Sequence, residues 1–119
     1  MSIAVPIPQL FDQLDRWGFC YLLTVSDDQR PHLLALRPEV VGAGDGRVLR
    51  FEVGAGRAGR NAAQRPEVSV VFPPAEHSEG FSLVVDGRAG PGTSDGFVDT
   101  PDGFLDVVPT WAVLHRPAP

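Results

Sequence analysis

The stretch Gly54-Ala55-Gly56-Arg57-Ala58-Gly59-Arg60-Asn61-Ala62-Ala63-Gln64-Arg65-Pro66 decides how this chain folds. Gly54, Gly56 and Gly59 spell G-x-G-x-x-G after a strand and at the opening of a helix, the wording of a dinucleotide-binding turn. Glu76 even lies about twenty residues on, where the acid for a ribose hydroxyl would be sought. The context refuses that reading. The helix has room for only about two turns before Pro66, because the residue ahead of a proline is pushed out of the helical region. A parallel βαβ unit needs a longer crossover helix, and the strands on either side of this segment belong to hairpins.

Upstream, Phe19, Tyr21, Leu23 and Val25 alternate with Cys20, Leu22, Thr24 and Ser26 before Asp27-Asp28-Gln29 turns the chain. A second strand follows from about Pro31 to Val41, and a third from Arg47 to Val53 sets Leu49, Phe51 and Val53 against Arg50 and Glu52. Ahead of them, Ile7, Leu10, Phe11, Leu14 and Trp17 fall at helical spacing, with Pro8 at the start and Gly18 past the end. Downstream, strands are predicted over Glu67–Phe72, Phe81–Ala89 and Leu105–His115, with a loop at Gly90–Gly103. Asp86-Gly87 is a candidate bulge, and Pro109 marks an edge or a bulge. The expectation is a mainly β chain: a six-stranded antiparallel split β-barrel with two short helices, one domain over residues 1–119.

Composition narrows the function. The chain has 119 residues, 43% of them hydrophobic, enough for one domain with a real core. Its net charge of -5 argues against a nucleic-acid partner. All ten basic residues are arginines, so Schiff-base chemistry and a P-loop lysine are excluded. One cysteine, Cys20, excludes an internal disulfide and a cysteine-based zinc cluster; in an apolar strand it reads as an inert core thiol. The opening MSIAVPIPQL has neither the basic nor the apolar region of a secretory leader, and no apolar run is long enough to span a bilayer. The expected compartment is the cytoplasm, with no membrane partner.

The physics of the Gly-Arg segment survives the loss of the dinucleotide fold. Glycines admit a ligand close to the backbone, and the first N–H groups of a helix favour an anion. Arg57 in the first turn offers a planar fork suited to phosphate, with Arg60 one turn on and Arg65 beyond. The residues alone support two readings equally: an anion site, or a solvated helix whose arginines keep it soluble.

The run from Gly18 to Val85 resembles the pyridoxamine 5'-phosphate oxidase-like family of flavin-binding split barrels. The features that carry this are the hairpin order, the Gly-Arg turn into a short helix, and Arg65-Pro66-Glu67-Val68-Ser69-Val70-Val71-Phe72. The tail Pro109-Thr110-Trp111-Ala112-Val113-Leu114-His115-Arg116-Pro117 is similar to the end of small actinobacterial members. The resemblance implies a homodimer with FMN at its interface and the ribityl phosphate held by the third strand and the following helix. Arg57 matches a phosphate-contacting arginine of the family's Ser-Arg-Lys turn, with Gly56 at the serine and Ala58 at the lysine. Cofactor contacts are therefore expected from Gly56, Arg57, Arg60 and Asn61, with Arg37 able to compensate and Trp111 able to stack on a flavin. A deazaflavin of the factor 420 type, with an acidic tail, is the alternative cofactor. Leu34 stands where true oxidases place an arginine, so pyridoxamine phosphate is not the expected substrate.

His32, His77 and His115 are scattered, and no metal-ligating spacing links them. The serines include no nucleophile elbow. The expected function is a flavin-binding oxidoreductase of unknown substrate, since the flavin itself carries the redox chemistry and no acid–base pair is demanded of the chain. The alternative is a non-catalytic protein of the same fold that stores or senses a flavin, deazaflavin or haem. No catalytic residue is assigned.

Overall fold

The computed structural model describes residues 1–90 and 102–118, so the expected Gly90–Gly103 loop lies, apart from its ends, outside the described residues. The strands are β1 (Ser2–Ala4), β2 (Cys20–Val25), β3 (Pro31–Leu36), β4 (Glu39–Val41), β5 (Val48–Glu52), β6 (Glu67–Phe72), β7 (Ser82–Ala89) and β8 (Phe104–His115). The helices are α1 (Ile7–Gln13), prolonged by a 3-10 turn over Leu14–Arg16, and α2 (Arg57–Gln64). All pairings are antiparallel, in the order β3-β2-β6-β7-β8-β5-β4, with β1 added to the far end of β8. Among the described residues no helix is long and apolar enough to cross a membrane.

Among the described residues eight strands replace the expected six, for two local reasons. The predicted Pro31–Val41 strand breaks at Arg37-Pro38: Leu36 is still paired with Cys20 of β2, whereas Glu39 is paired with Arg50 of β5. Proline has no N–H to extend the first ladder, so the chain changes partner there. β1 is three exposed residues, too short to display a period.

That break also forces the sheet to curl. β3 and β4 are its two ends, yet Leu36 and Glu39 are three residues apart, about 11 Å at full stretch. Seven flat strands would hold their outer members about 29 Å apart. The sheet rolls towards a barrel, with Leu22, Leu49, Phe51, Val70, Phe72 and Leu83 fully buried inside. α1 contributes Leu10 to this core, and Trp17 packs on Phe72 with ring centres 6.2 Å apart.

The bulge falls where Asp86-Gly87 implied. Asp86 pairs with Trp111 but Gly87 with Pro109, leaving Thr110 as the extra residue. A Cβ at Gly87 would lie 2.5 Å from Val107 Cγ1 and 2.9 Å from the Val108 carbonyl oxygen, so only glycine permits this approach.

Candidate functional site

A groove of about 930 Å³ opens between α2 and the β2–β3 turn. α2 is short because Pro66 stops it, and it is seated by Ala58, Asn61 and Ala62, the i, i+3, i+4 face. Alanines let it approach the barrel end closely. Asn61 Nδ2 then donates to Thr24 Oγ1 of β2 at 3.1 Å, a buried bond that fixes helix against sheet. The opposite face carries Arg57 and Arg60 into the groove.

The start of α2 is open. Its N-cap is Gly56, and among the described residues no side chain caps its first turn. Gly54, at φ +66°, makes the turn into the helix in the left-handed region that glycine tolerates. The Gly103 carbonyl accepts from the N–H groups of both Val53 and Gly54 at 2.9 Å and pins that turn. Of the sequence-predicted residues, Arg57, Arg60 and Asn61 therefore line one groove, with Gly56 at its helical rim.

Arg37 and Trp111 lie elsewhere on this chain. Arg37 is exposed between β3 and β4, at the other end of β3 from the groove, roughly 16 Å along the strand. Trp111 is 49% exposed on the outer face of β8.

Asp27, Asp28, Arg30 and His32 of the groove went unread as site residues in the sequence. His32 pairs across β2 with Thr24, inside the same alternation as Leu34 and Leu36, and its Nδ1 is buried without a hydrogen-bond partner among the described residues. A histidine in phase with inward leucines was the available signal. Asp27 and Asp28 come from the turn, where the N–H of Gln29 donates to the Ser26 carbonyl at 2.9 Å. The Ser26 hydroxyl donates to Asp28 and, with smaller help from Arg57, holds that carboxyl below the usual aspartate range. Arg65 at the end of α2 donates to Asp27 at 2.8 Å. Among the described residues Arg60 donates to the Ala55 carbonyl alone, at 3.3 Å.

On the other side of α2 lies a second cavity of about 440 Å³, walled by Gly59, Ala62, Phe104 and Leu105. Asp106 borders it, 1% exposed and held by Arg50 through two bonds, Nε to Oδ1 at 2.8 Å and Nη2 to Oδ2 at 3.0 Å. The Asp106 carboxylate raises the Arg50 pKa further above its ordinary value, so the guanidinium stays charged. Cys20 is fully buried, and burial pushes its thiol up to about 12, which leaves it protonated and unreactive.

The groove suits a phosphorylated ligand by its donor set. It offers the exposed guanidinium of Arg57, that of Arg60 held by one bond to Ala55 and, among the described residues, an uncapped helix start and an unpaired ring nitrogen, in a volume of the size that small-molecule pockets take.

No family model matches the chain. It is 40% identical over 119 residues to the uncharacterized Mycobacterium bovis protein Mb0449c, covering 96% of this chain and 82% of that protein. The same figures hold for the Mycobacterium tuberculosis protein MT0457. Among solved structures, an FAD-binding protein from Mesorhizobium loti superposes with a TM-score of 0.66 at 18% identity, over 96% of both chains. A Listeria innocua protein named for pyridoxamine 5'-phosphate oxidase gives 0.61 at 18% identity, over 92% of this chain and 98% of that one. An F420 reductase gives 0.54 at 22% identity, over 90% and 92%.

Proposed function

Because the chain belongs to one family with the mycobacterial proteins Mb0449c and MT0457, and has the pyridoxamine 5'-phosphate oxidase-like split-barrel fold, we propose that it is a flavin-binding oxidoreductase that works as a homodimer. FMN is the first cofactor of this reading and a deazaflavin of the factor 420 type the second; the compartment is the cytoplasm. The observation that carries it is Arg57, exposed and free of hydrogen bonds among the described residues, beside the uncapped start of α2 in a groove of about 930 Å³.

In this reading Arg57 and Arg60 bind the ribityl phosphate, and the first amides of α2 add unpaired donors to the same anion. Asn61, locked to Thr24, keeps the helix from shifting as the anion is bound. His32 Nδ1 supplies one more group for a ligand hydroxyl. The flavin, when bound, supplies the hydride or electron transfer.

Support for the homodimer comes from the outer sheet face. Ala35, Tyr21, Val71 and Val84 sit side by side across four strands, while Leu33 is 57% exposed and Phe19 43%. A continuous apolar row of this kind marks an interaction surface. A second copy would also bring another Arg37 and Trp111, which on one chain stand apart from the groove.

One observation favours a second reading, a binding protein without turnover. Of the Ser-Arg-Lys turn that the family resemblance implies, Arg57 alone remains, since Gly56 offers no side chain and Ala58 is 1% exposed against the core. FMN titration followed by flavin fluorescence, with sedimentation of the loaded protein, tests the proposal. Saturable binding by a dimer supports it, and no binding overturns it. A bound flavin that no nicotinamide or deazaflavin donor reduces selects the second reading.

A further inference from the structure

The α2 arginines look like one cationic cluster in the sequence, but the fold divides them. Arg65 is spent on Asp27 at 2.8 Å, and its side chain is 35% exposed against 90% for its partner. With Arg65 counted beside its partner, Arg30, Arg57, Arg60 and Arg65 stand against Asp27 and Asp28, so four arginines against two aspartates leave two net positive charges, which one phosphate monoester matches. The whole chain carries -5, so this local excess of positive charge is set in an acidic chain.

We infer that Asp27 and Asp28 of the β2–β3 turn are specificity-determining residues that restrict this groove to a single phosphate and exclude a ligand with an acidic oligoglutamate tail. The inference rests on the flavin reading above and deepens it: it selects FMN over the tailed deazaflavin. A phosphate monoester brings about two negative charges, which Arg57 and Arg60 can meet directly with forked donors. A tail of several carboxylates needs further cations beyond them. The next cation along α2 is Arg65, already paired, and across the groove Arg30 shares its turn with Asp27 and Asp28. Each tail carboxylate within a Debye length, about 8–10 Å, of Asp27 and Asp28 meets like charge. The same aspartates can accept from ligand hydroxyls, which a ribityl chain supplies and a glutamate tail does not.

The test compares three ligands on the wild-type protein and on D27N/D28N: FMN, the phosphorylated deazaflavin without its tail, and the tailed deazaflavin. Binding is read by fluorescence titration, and thermal melting confirms that the variant is folded. Asparagine keeps the shape and the acceptor oxygen, and D28N alone, which leaves the Arg65–Asp27 pair intact, serves if the double variant does not fold. On the wild type the tail should give no gain in affinity over the tailless form. In D27N/D28N the tailed ligand should bind about tenfold tighter while FMN and the tailless form change by about threefold or less, because the gain scales with ligand charge. A wild-type protein that prefers the tailed ligand, or a variant that improves all three ligands equally, overturns the inference and leaves the flavin site standing. Failure of all three to bind the wild type overturns the flavin reading, and the inference falls with it.

Discussion

Arg50 and Arg57 are seven residues apart in the chain and live in opposite regimes. Arg50, on β5, is 13% exposed and closes a fork on Asp106, whose side chain is fully covered. Arg57, at the start of α2, is exposed and holds no hydrogen bond among the described residues. Both are cations, yet Arg50 is bonded to a buried carboxylate, whereas Arg57 acts on Asp28 only through space. The difference teaches where to look for a ligand. A buried, bidentate arginine has committed its donors to holding β5 against β8. An arginine with an open fork at a helix start retains them for an anion.

The comparison breaks first at Asp106. Asp106→Ala leaves the Arg50 guanidinium largely enclosed without its counter-charge, and the melting temperature should fall by roughly 10–20 °C. An R50M/D106L double variant, which removes both charges and fills the space, should recover to within about 5 °C of wild type. If it fails to recover, the pair does more than hold two strands in register. Arg57→Ala is the converse experiment. It should weaken FMN binding by about 1.5–3 kcal/mol, roughly ten- to hundredfold, with no change in melting temperature. An unchanged FMN affinity would remove Arg57 from the phosphate site.

Asn61 lies between the two regimes, since it lines the groove and also makes a buried bond to Thr24. Asn61→Ala should cost about 1–3 kcal/mol of folding stability, because the Thr24 hydroxyl is left buried without that partner. Denaturant unfolding measures this. If stability holds and FMN affinity drops instead, Asn61 belongs with Arg57 as a ligand contact.

The sequence exposed the parts of this fold that depend on neighbours along the chain. Alternation in Cys20–Val25 is visible because β2 has one buried face, with Cys20, Leu22 and Thr24 inside. The end of α2 is visible because Pro66 dictates it. What stayed hidden depends on register between distant strands. Arg50 meets Asp106 across 56 residues and Arg65 meets Asp27 across 38, and no local pattern encodes either partner. The α2 arginines therefore read as a uniform basic cluster, when one of them is already neutralised. The strand break at Arg37-Pro38 was written in the proline, but its consequence, a change of partner from β2 to β5, needed the sheet order.

The three glycines that spelled the dinucleotide motif divide in the same way, and they carry the smallest effect. Gly54 needs its φ of +66°, which a residue with a Cβ adopts at a cost. Gly59 has no such need. It sits within α2, and an added Cβ would meet Val53 Cγ2 at 3.7 Å, an ordinary contact. Gly59→Ala should therefore stabilise the protein by about 0.5–1 kcal/mol, since alanine gives up less backbone freedom in a helix. The residue borders the 440 Å³ cavity and not the arginine groove, so FMN affinity should stay at its wild-type value. A protein that gains stability and keeps its affinity shows that Gly59 repeats the motif's spelling without its physics. A loss of FMN binding in a stabilised variant would instead extend the ligand across α2 into the second cavity, and the division between the two sides of the helix would have to be withdrawn.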